Sequence, residues 1–177
     1  LSHTLYYSYD NGTTISQIGS AYRTDRQISW TIPNDFYATI PNAKSGTVKV
    51  YVDTFDEGKE LVGDRTSTTL TAYAVESNCK PVLNPSVYDS NSTTTALTGN
   101  NKKLIKGKSD ASYAVNASAR NYATIRSIEV RNGSSVLSTA TGVFKATKSN
   151  DFSFYVTDSR GYTTTAALLP DMIPYLN

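Results

Sequence analysis

The chain has 177 residues, a formal net charge of +2 and no dense run of Lys or Arg, a balance too mild to argue for a nucleic-acid partner. One Cys excludes an intrachain disulfide and with it a small disulfide-stapled scaffold, and one His leaves little for zinc or triad chemistry. No apolar run approaches about 18 residues and no signal-peptide pattern opens the chain, so no membrane partner is expected. Ser and Thr make up roughly a quarter of the residues, 13 are Tyr, and only 18% are charged. Thr and Tyr suit a pleated, half-buried surface, while Ser and Thr suit turns. An all-β protein with a hydroxyl-rich surface and small cores follows. The start at Leu1, with Met172 as the one Met, fits a processed product or a segment of a longer polypeptide.

In chain order, Tyr6-Tyr7-Ser8-Tyr9 runs into the turn signal Asp10-Asn11-Gly12, with Tyr6 and Tyr9 on opposite strand faces. Residues 29–32 read as the end of a strand anchored by a buried Trp30. Pro33 and Pro41 restrain its surroundings, and Ser45-Gly46 launches the next strand. Residues 47–53 place Val48, Val50 and Val52 on one face and Lys49, Tyr51 and Asp53 on the other. Glu57-Gly58 separates residues 51–55 from 59–62, and Leu70, Ala72 and Ala74 share a face. Pro81 and Pro85 interrupt ladder pairing, which puts a linker at 77–85 and divides the chain into modules 1–80 and 81–177.

The second module opens on a polar segment, residues 88–95. Tyr113, Val115 and Ala117 then point together, and so do Phe152, Phe154 and Val156. Asn132-Gly133 separates residues 125–131 from 134–139 and is the strongest hairpin signal in the chain. Asp158-Ser159-Arg160-Gly161 is a second turn, before residues 162–167, and the apolar stretch 166–169 stops at Pro170. No window offers three helical turns. The predicted fold is two tandem antiparallel β-sandwich modules, the second immunoglobulin-like in architecture though without the Cys pair and Trp of antibody domains.

Candidate chemistry is sparse. His3 lies at a terminus expected to fray, and Cys79 lies in the expected linker with no base beside it in sequence. Asp53, Asp56, Glu57 and Glu60 cluster around one hairpin, and Asp89-Ser90-Asn91 offers oxygens. Turn chemistry explains both groups more simply than paired catalytic acids or Ca²⁺, so no catalytic residue, metal or cofactor is assigned. Lys49 and Lys103 are unremarkable candidates for an internal isopeptide crosslink. Tyr6, Tyr7, Tyr9, Tyr22 and Trp30 are the candidate sugar-stacking residues, because a ring can cover the apolar face of a pyranose. The simpler alternative is that alternate rings fill a small core.

Several pieces, in order, resemble one known family. In the first half they are Trp30-Thr31-Ile32-Pro33, the Ile40-Pro41-Asn42-Ala43-Lys44-Ser45-Gly46 turn with its Val-rich strand, Leu61-Val62-Gly63, residues 68–75 and Pro81. In the second they are Asp89-Ser90-Asn91, Leu97-Thr98-Gly99, Leu104-Ile105-Lys106 and residues 154–161. The chain resembles minor structural proteins of siphophages infecting streptococci and related Gram-positive bacteria, a family first catalogued as phage proteins of unknown function. The resemblance implies a non-enzymatic tail-fibre or tail-tip adhesion component, located in the virion outside the cell. Its implied partners are other phage tail proteins and bacterial cell-wall polysaccharide. The alternatives are an immunoglobulin-like module of a bacterial surface adhesin and a carbohydrate-binding module.

Overall fold

In the computed structural model, which describes residues 1–137, 140–146 and 151–175, the chain divides into two units, Leu1–Val75 and Glu76–Asn177. Both are built on antiparallel strands, none of the sheets closes into a barrel, and the all-β class read from period-two alternation is borne out.

The first unit contains β1 (Ser2–Ser8), β2 (Ser16–Arg23), the single-turn helix α1 (Phe36–Thr39), β3 (Ser45–Phe55) and β4 (Thr66–Tyr73). The strands form one sheet in the order β2-β1-β3-β4. Pairing of Leu5 with Val52 and of Tyr7 with Val50 fixes which side chains share a face. On that face Ile18, Val48, Phe36 and Ile40 are buried, and residues 28–41 supply the cover. Gly46 lets this cover approach: a Cβ there would stand 2.6 Å from Ile40 Cγ2 and 3.3 Å from the Phe36 ring. The β2 edge is irregular. Its register against β1 shifts between His3 and Leu5, and Gly19 and Tyr22 take positive φ of 66° and 54°. The β4 register is unbroken from Ser45↔Tyr73 to Val52↔Thr66.

Three expectations are corrected here. Residues 28–33 form no strand, and Trp30 is half-buried against Tyr7 rather than a buried anchor, because it lies in the cover instead of the sheet. His3 is not frayed: it pairs across from Thr54, and its Nδ1 shares a 3.1 Å hydrogen bond with Thr54 Oγ1. Residues 59–62 make one isolated bridge, Phe55↔Leu61, and the next strand starts only at Thr66.

The second unit contains α2 (Glu76–Cys79), β5 (Val82–Asp89), α3 (Ser92–Thr98), β6 (Lys103–Ile105), β7 (Asp110–Ser118), β8 (Ile125–Asn132), β9 (Ser135–Val136), β10 (Thr141–Lys145), β11 (Phe152–Asp158), β12 (Thr163–Leu168) and β13 (Asp171–Ile173). Two sheets, β10-β7-β5 and β12-β11-β8-β9, send Ala111 and Tyr113 from one side and Val130, Phe152 and Phe154 from the other into a single core. This three-plus-four Greek-key arrangement is the immunoglobulin-like architecture. A short parallel pair, β13 with β6, lies beside it and adds Leu104 to that core.

The Asn132-Gly133 and Asp158–Gly161 turns join the strand pairs they were expected to join. Residues 138–139 of the expected strand lie outside the described residues. Residues 82–85, expected as linker, begin β5, where Pro85 is tolerated because β5 is an edge strand. Residues 92–95 of the expected polar segment open α3: Asn91 Oδ1 accepts from the Thr93 and Thr94 amides, and Gly99 ends the helix at φ 63°. Cys79 is fully buried at the end of α2.

Candidate functional site

The five aromatic residues picked out from sequence do not share one surface. Strand parity splits them, since Tyr6 and Tyr7 point to opposite sides of β1. Tyr7, Tyr9 and Trp30 come together on the covered face, with Tyr7 4.7 Å from Trp30 and 5.1 Å from Tyr9 between ring centroids, and Tyr9 5.4 Å from Phe36. Tyr6 and Tyr22 lie on the other face. Arg65 stands 4.6 Å over Tyr6 while its guanidinium forks onto Asp53, and Tyr22 meets Phe55 edge-on at 4.9 Å beneath Lys59. That second face is a network of ion pair and cation–π contacts already closed on itself.

The Tyr7–Tyr9 group borders a cleft of about 450 Å³ lined also by Asp10, Ser16, Asp35 and Thr39. Its walls are set by local turn chemistry. Ser8 Oγ donates to Asp10 Oδ1 at 2.6 Å and accepts the Gly12 amide at 2.8 Å, while the Thr14 amide donates to the same carboxylate oxygen at 2.8 Å. Asn11 and Gly12 take positive φ, and a Cβ at Gly12 would strike the Tyr51 hydroxyl at 2.5 Å. These hydrogen bonds hold the Asp10 carboxyl down at about 2. Asp35 precedes α1 without capping it, and its Oδ1 instead accepts the Tyr9 hydroxyl at 3.2 Å. Burial first, then the Asp35 charge, pushes the Tyr9 phenol well above its ordinary range. Asp10 and Asp35 were not picked out from sequence. Alternation can place Tyr9, but only folding brings residue 35 to it.

The other candidate groups resolve into structure. Asp53 is engaged by Arg65, so the acidic residues of that hairpin do not converge, and among the described residues no three His, Cys, Asp or Glu side chains group as metal ligands would. Asp89 is a buried hub that accepts from Thr94 Oγ1 at 2.5 Å, Ser109 Oγ at 2.6 Å and the Asn91 amide at 3.0 Å. Burial raises its carboxyl, but these donors outweigh the burial and hold it below its usual value. Lys49 Nζ reaches Asn11 Oδ1 at 3.4 Å on an exposed surface. A further cavity of about 360 Å³, lined by His3, Leu5, Arg23 and Ile28, carries an Arg23–Asp25 pair at 2.6 Å.

A family model described as siphovirus protein of unknown function, DUF859, matches residues 1–167. The chain belongs to this siphovirus family. None of the curated proteins searched matches it. In this DUF859 chain several of the short motifs that carried the resemblance sit at turns, helix ends and strand starts. Gly46 admits the cover of the first sheet, Gly99 closes α3, and Asp158–Gly161 turns β11 into β12. The chain is thus a phage protein, and among the described residues no helix is long and apolar enough to cross a membrane.

Proposed function

We propose that this chain is a non-enzymatic structural and adhesion component of the tail of a siphophage infecting streptococci or related Gram-positive bacteria. The observation that carries the reading is membership of a siphovirus family over residues 1–167. Two antiparallel β units with Thr-rich outer strands such as β4 and β12 suit a spacer exposed outside a cell. Its partners are other tail proteins, and it spaces or presents the attachment apparatus while touching cell-wall glycans. Copies repeated on one virion convert weak single contacts into firm attachment. The same family membership favours this reading over a bacterial surface adhesin.

Immunogold labelling of purified virions with antibody to the chain tests it, together with adsorption assays in the presence of the antibody's Fab. The tail should be labelled and adsorption slowed. Virions that lack the chain would sink the reading.

A further inference from the structure

We propose that the cleft between the end of β1, the turn at residues 10–14 and α1 binds a neutral pyranose unit of a polysaccharide. This rests on the adhesion reading above and names the surface and ligand class that reading leaves open.

Three observations converge on it. The cleft, at about 450 Å³, falls within the roughly 300–1,000 Å³ typical of small-ligand sites. It joins ring surface to hydroxyl-directed acceptors: Tyr7 and Tyr9 form part of the wall, beside the carboxylates of Asp10 and Asp35 and the hydroxyls of Ser16 and Thr39. A pyranose presents the same mixture, an apolar C–H face and a rim of hydroxyl donors. The carboxylates also keep capacity for a ligand. Asp10 uses Oδ1 for Ser8 and the Thr14 amide, with the Thr14 side chain also engaged, and stays exposed to solvent, while Asp35 uses Oδ1 for Tyr9 and its Oδ2 takes no hydrogen bond among the described residues. Hydrogen bonds with Ser8 and Thr14 hold the Asp10 carboxyl down, so at neutral pH it is an ionised acceptor.

Charge decides which saccharide. The lining has two carboxylates and no Lys, Arg or His, so it repels phosphate or uronate. A phosphate-linked wall polymer has no cation to meet here. The cavity lined by His3, Arg23 and Arg26 differs in this respect: it carries cations, one of them paired with Asp25, and offers less hydroxyl-directed acceptor surface for a neutral sugar. The closed Arg65–Asp53–Tyr6 face likewise has its charges satisfied internally.

The test is saturation-transfer NMR and tyrosine–tryptophan fluorescence on the whole chain. The probes are methyl glycosides of glucose, galactose, rhamnose and N-acetylglucosamine, with glycerol 3-phosphate as the anionic arm. At least one neutral glycoside should bind saturably, with affinity on the order of millimolar. Asp10→Asn and Asp35→Asn should each weaken it about five-fold, and Tyr9→Ala about ten-fold. A control change in the second unit, Lys106→Ala, should leave it unaltered. The Asn variants keep an acceptor for Ser8, Thr14 and Tyr9, so they stay folded and decide the matter even where Tyr9→Ala does not fold. Three results overturn the proposal: no glycoside saturating up to the order of tens of millimolar, binding unchanged in both Asn variants, or glycerol 3-phosphate competing at the same residues. If Fab blocks adsorption while no glycoside binds, the cleft is wrong and the tail reading stands. If glycosides bind while virions lack the chain, the cleft is right and the tail reading is wrong.

Discussion

Arg65 and Asp53 meet in a forked ion pair, Nε 2.7 Å from one carboxylate oxygen and Nη2 2.6 Å from the other. Asp53 is 7% exposed, so removing the guanidinium leaves a nearly buried carboxylate with neither of these donors. Arg65→Ala should destabilise the chain by about 1–3 kcal/mol, less than the ~3–5 kcal/mol for breaking a fully buried ion pair, because the Arg65 side chain is 37% exposed. Arg65→Lys should restore only part, because an ammonium cannot fork. Urea unfolding followed by circular dichroism checks both, and an unchanged midpoint for Arg65→Ala would refute the argument.

Acid should unfold the protein through the same kind of contact. Asp10, Asp53, Asp89 and Asp110 all have carboxyls held below their usual value: Asp10 by Ser8 and Thr14, Asp53 by Arg65, and Asp110 by Lys145 and Asn91. In Asp89, donors led by Ser109 outweigh the burial that opposes them. A depressed folded-state value means stability that is present above the unfolded value of about 4 and lost as pH falls through the folded one. For Asp10 that window runs from about 4 to about 2. The melting temperature should therefore be flat on this account from neutral pH down to about 5 and fall steeply below 4, with Asp10→Asn removing part of the loss. A melting temperature that rises on acidification from pH 5 would contradict this.

Gly46 is a packing requirement. An added methyl would meet Ile40 Cγ2 at 2.6 Å. Gly46→Ala should cost about 1–3 kcal/mol by overpacking. Ile40→Ala removes the obstructing atom, so the double variant should be more stable than the sum of the two single losses implies. Strict additivity would show that the contact does not govern the site.

Asp158 carries an internal conflict. Its Oδ1 accepts the Tyr162 amide at 2.8 Å, closing the β11–β12 turn, while its Oδ2 is buried with no hydrogen-bond partner among the described residues. Asp158→Asn keeps the acceptor for the Tyr162 amide but sets an NH2 group in the partnerless buried position, so it should lose less than Asp158→Ala without exceeding the native stability. Asp158→Ala strands the amide and should lose about 1–3 kcal/mol. Thermal melts of the pair decide it: an Asn variant as damaged as the Ala variant would show that the turn acceptor is not what Asp158 supplies.

Alternation made the second unit's core readable, since Phe152, Phe154 and Val156 are all fully buried on one side of β11 as expected. It worked less well in the first unit. Tyr51 and Asp53, on the face opposite Val48, are buried too, because Arg65 and Tyr6 cover them from other strands or loops. A periodic pattern reports one covered face and is silent about a second covered by polar contacts. The helix α3 had its signals in Asn91 and Gly99, but a run of Thr hides them, since Thr is a poor helix former. Of the cleft, Tyr7 was legible as a strand residue, and Tyr9 as the residue entering the turn just past the end of β1. Asp35 was not, because its place depends on how residues 28–41 fold back over the sheet.

The two rims of the first sheet have different consequences for how chains can meet. β2, with its shifted register and left-handed residues at Gly19 and Tyr22, offers a broken row of amides and carbonyls that another strand cannot follow. β4 is straight in register for eight residues. A sheet with one usable rim can join a single neighbour rim to rim, but it has nothing left on which to seat a third. Edge-to-edge pairing through this sheet therefore stops at a pair and does not propagate into a ribbon.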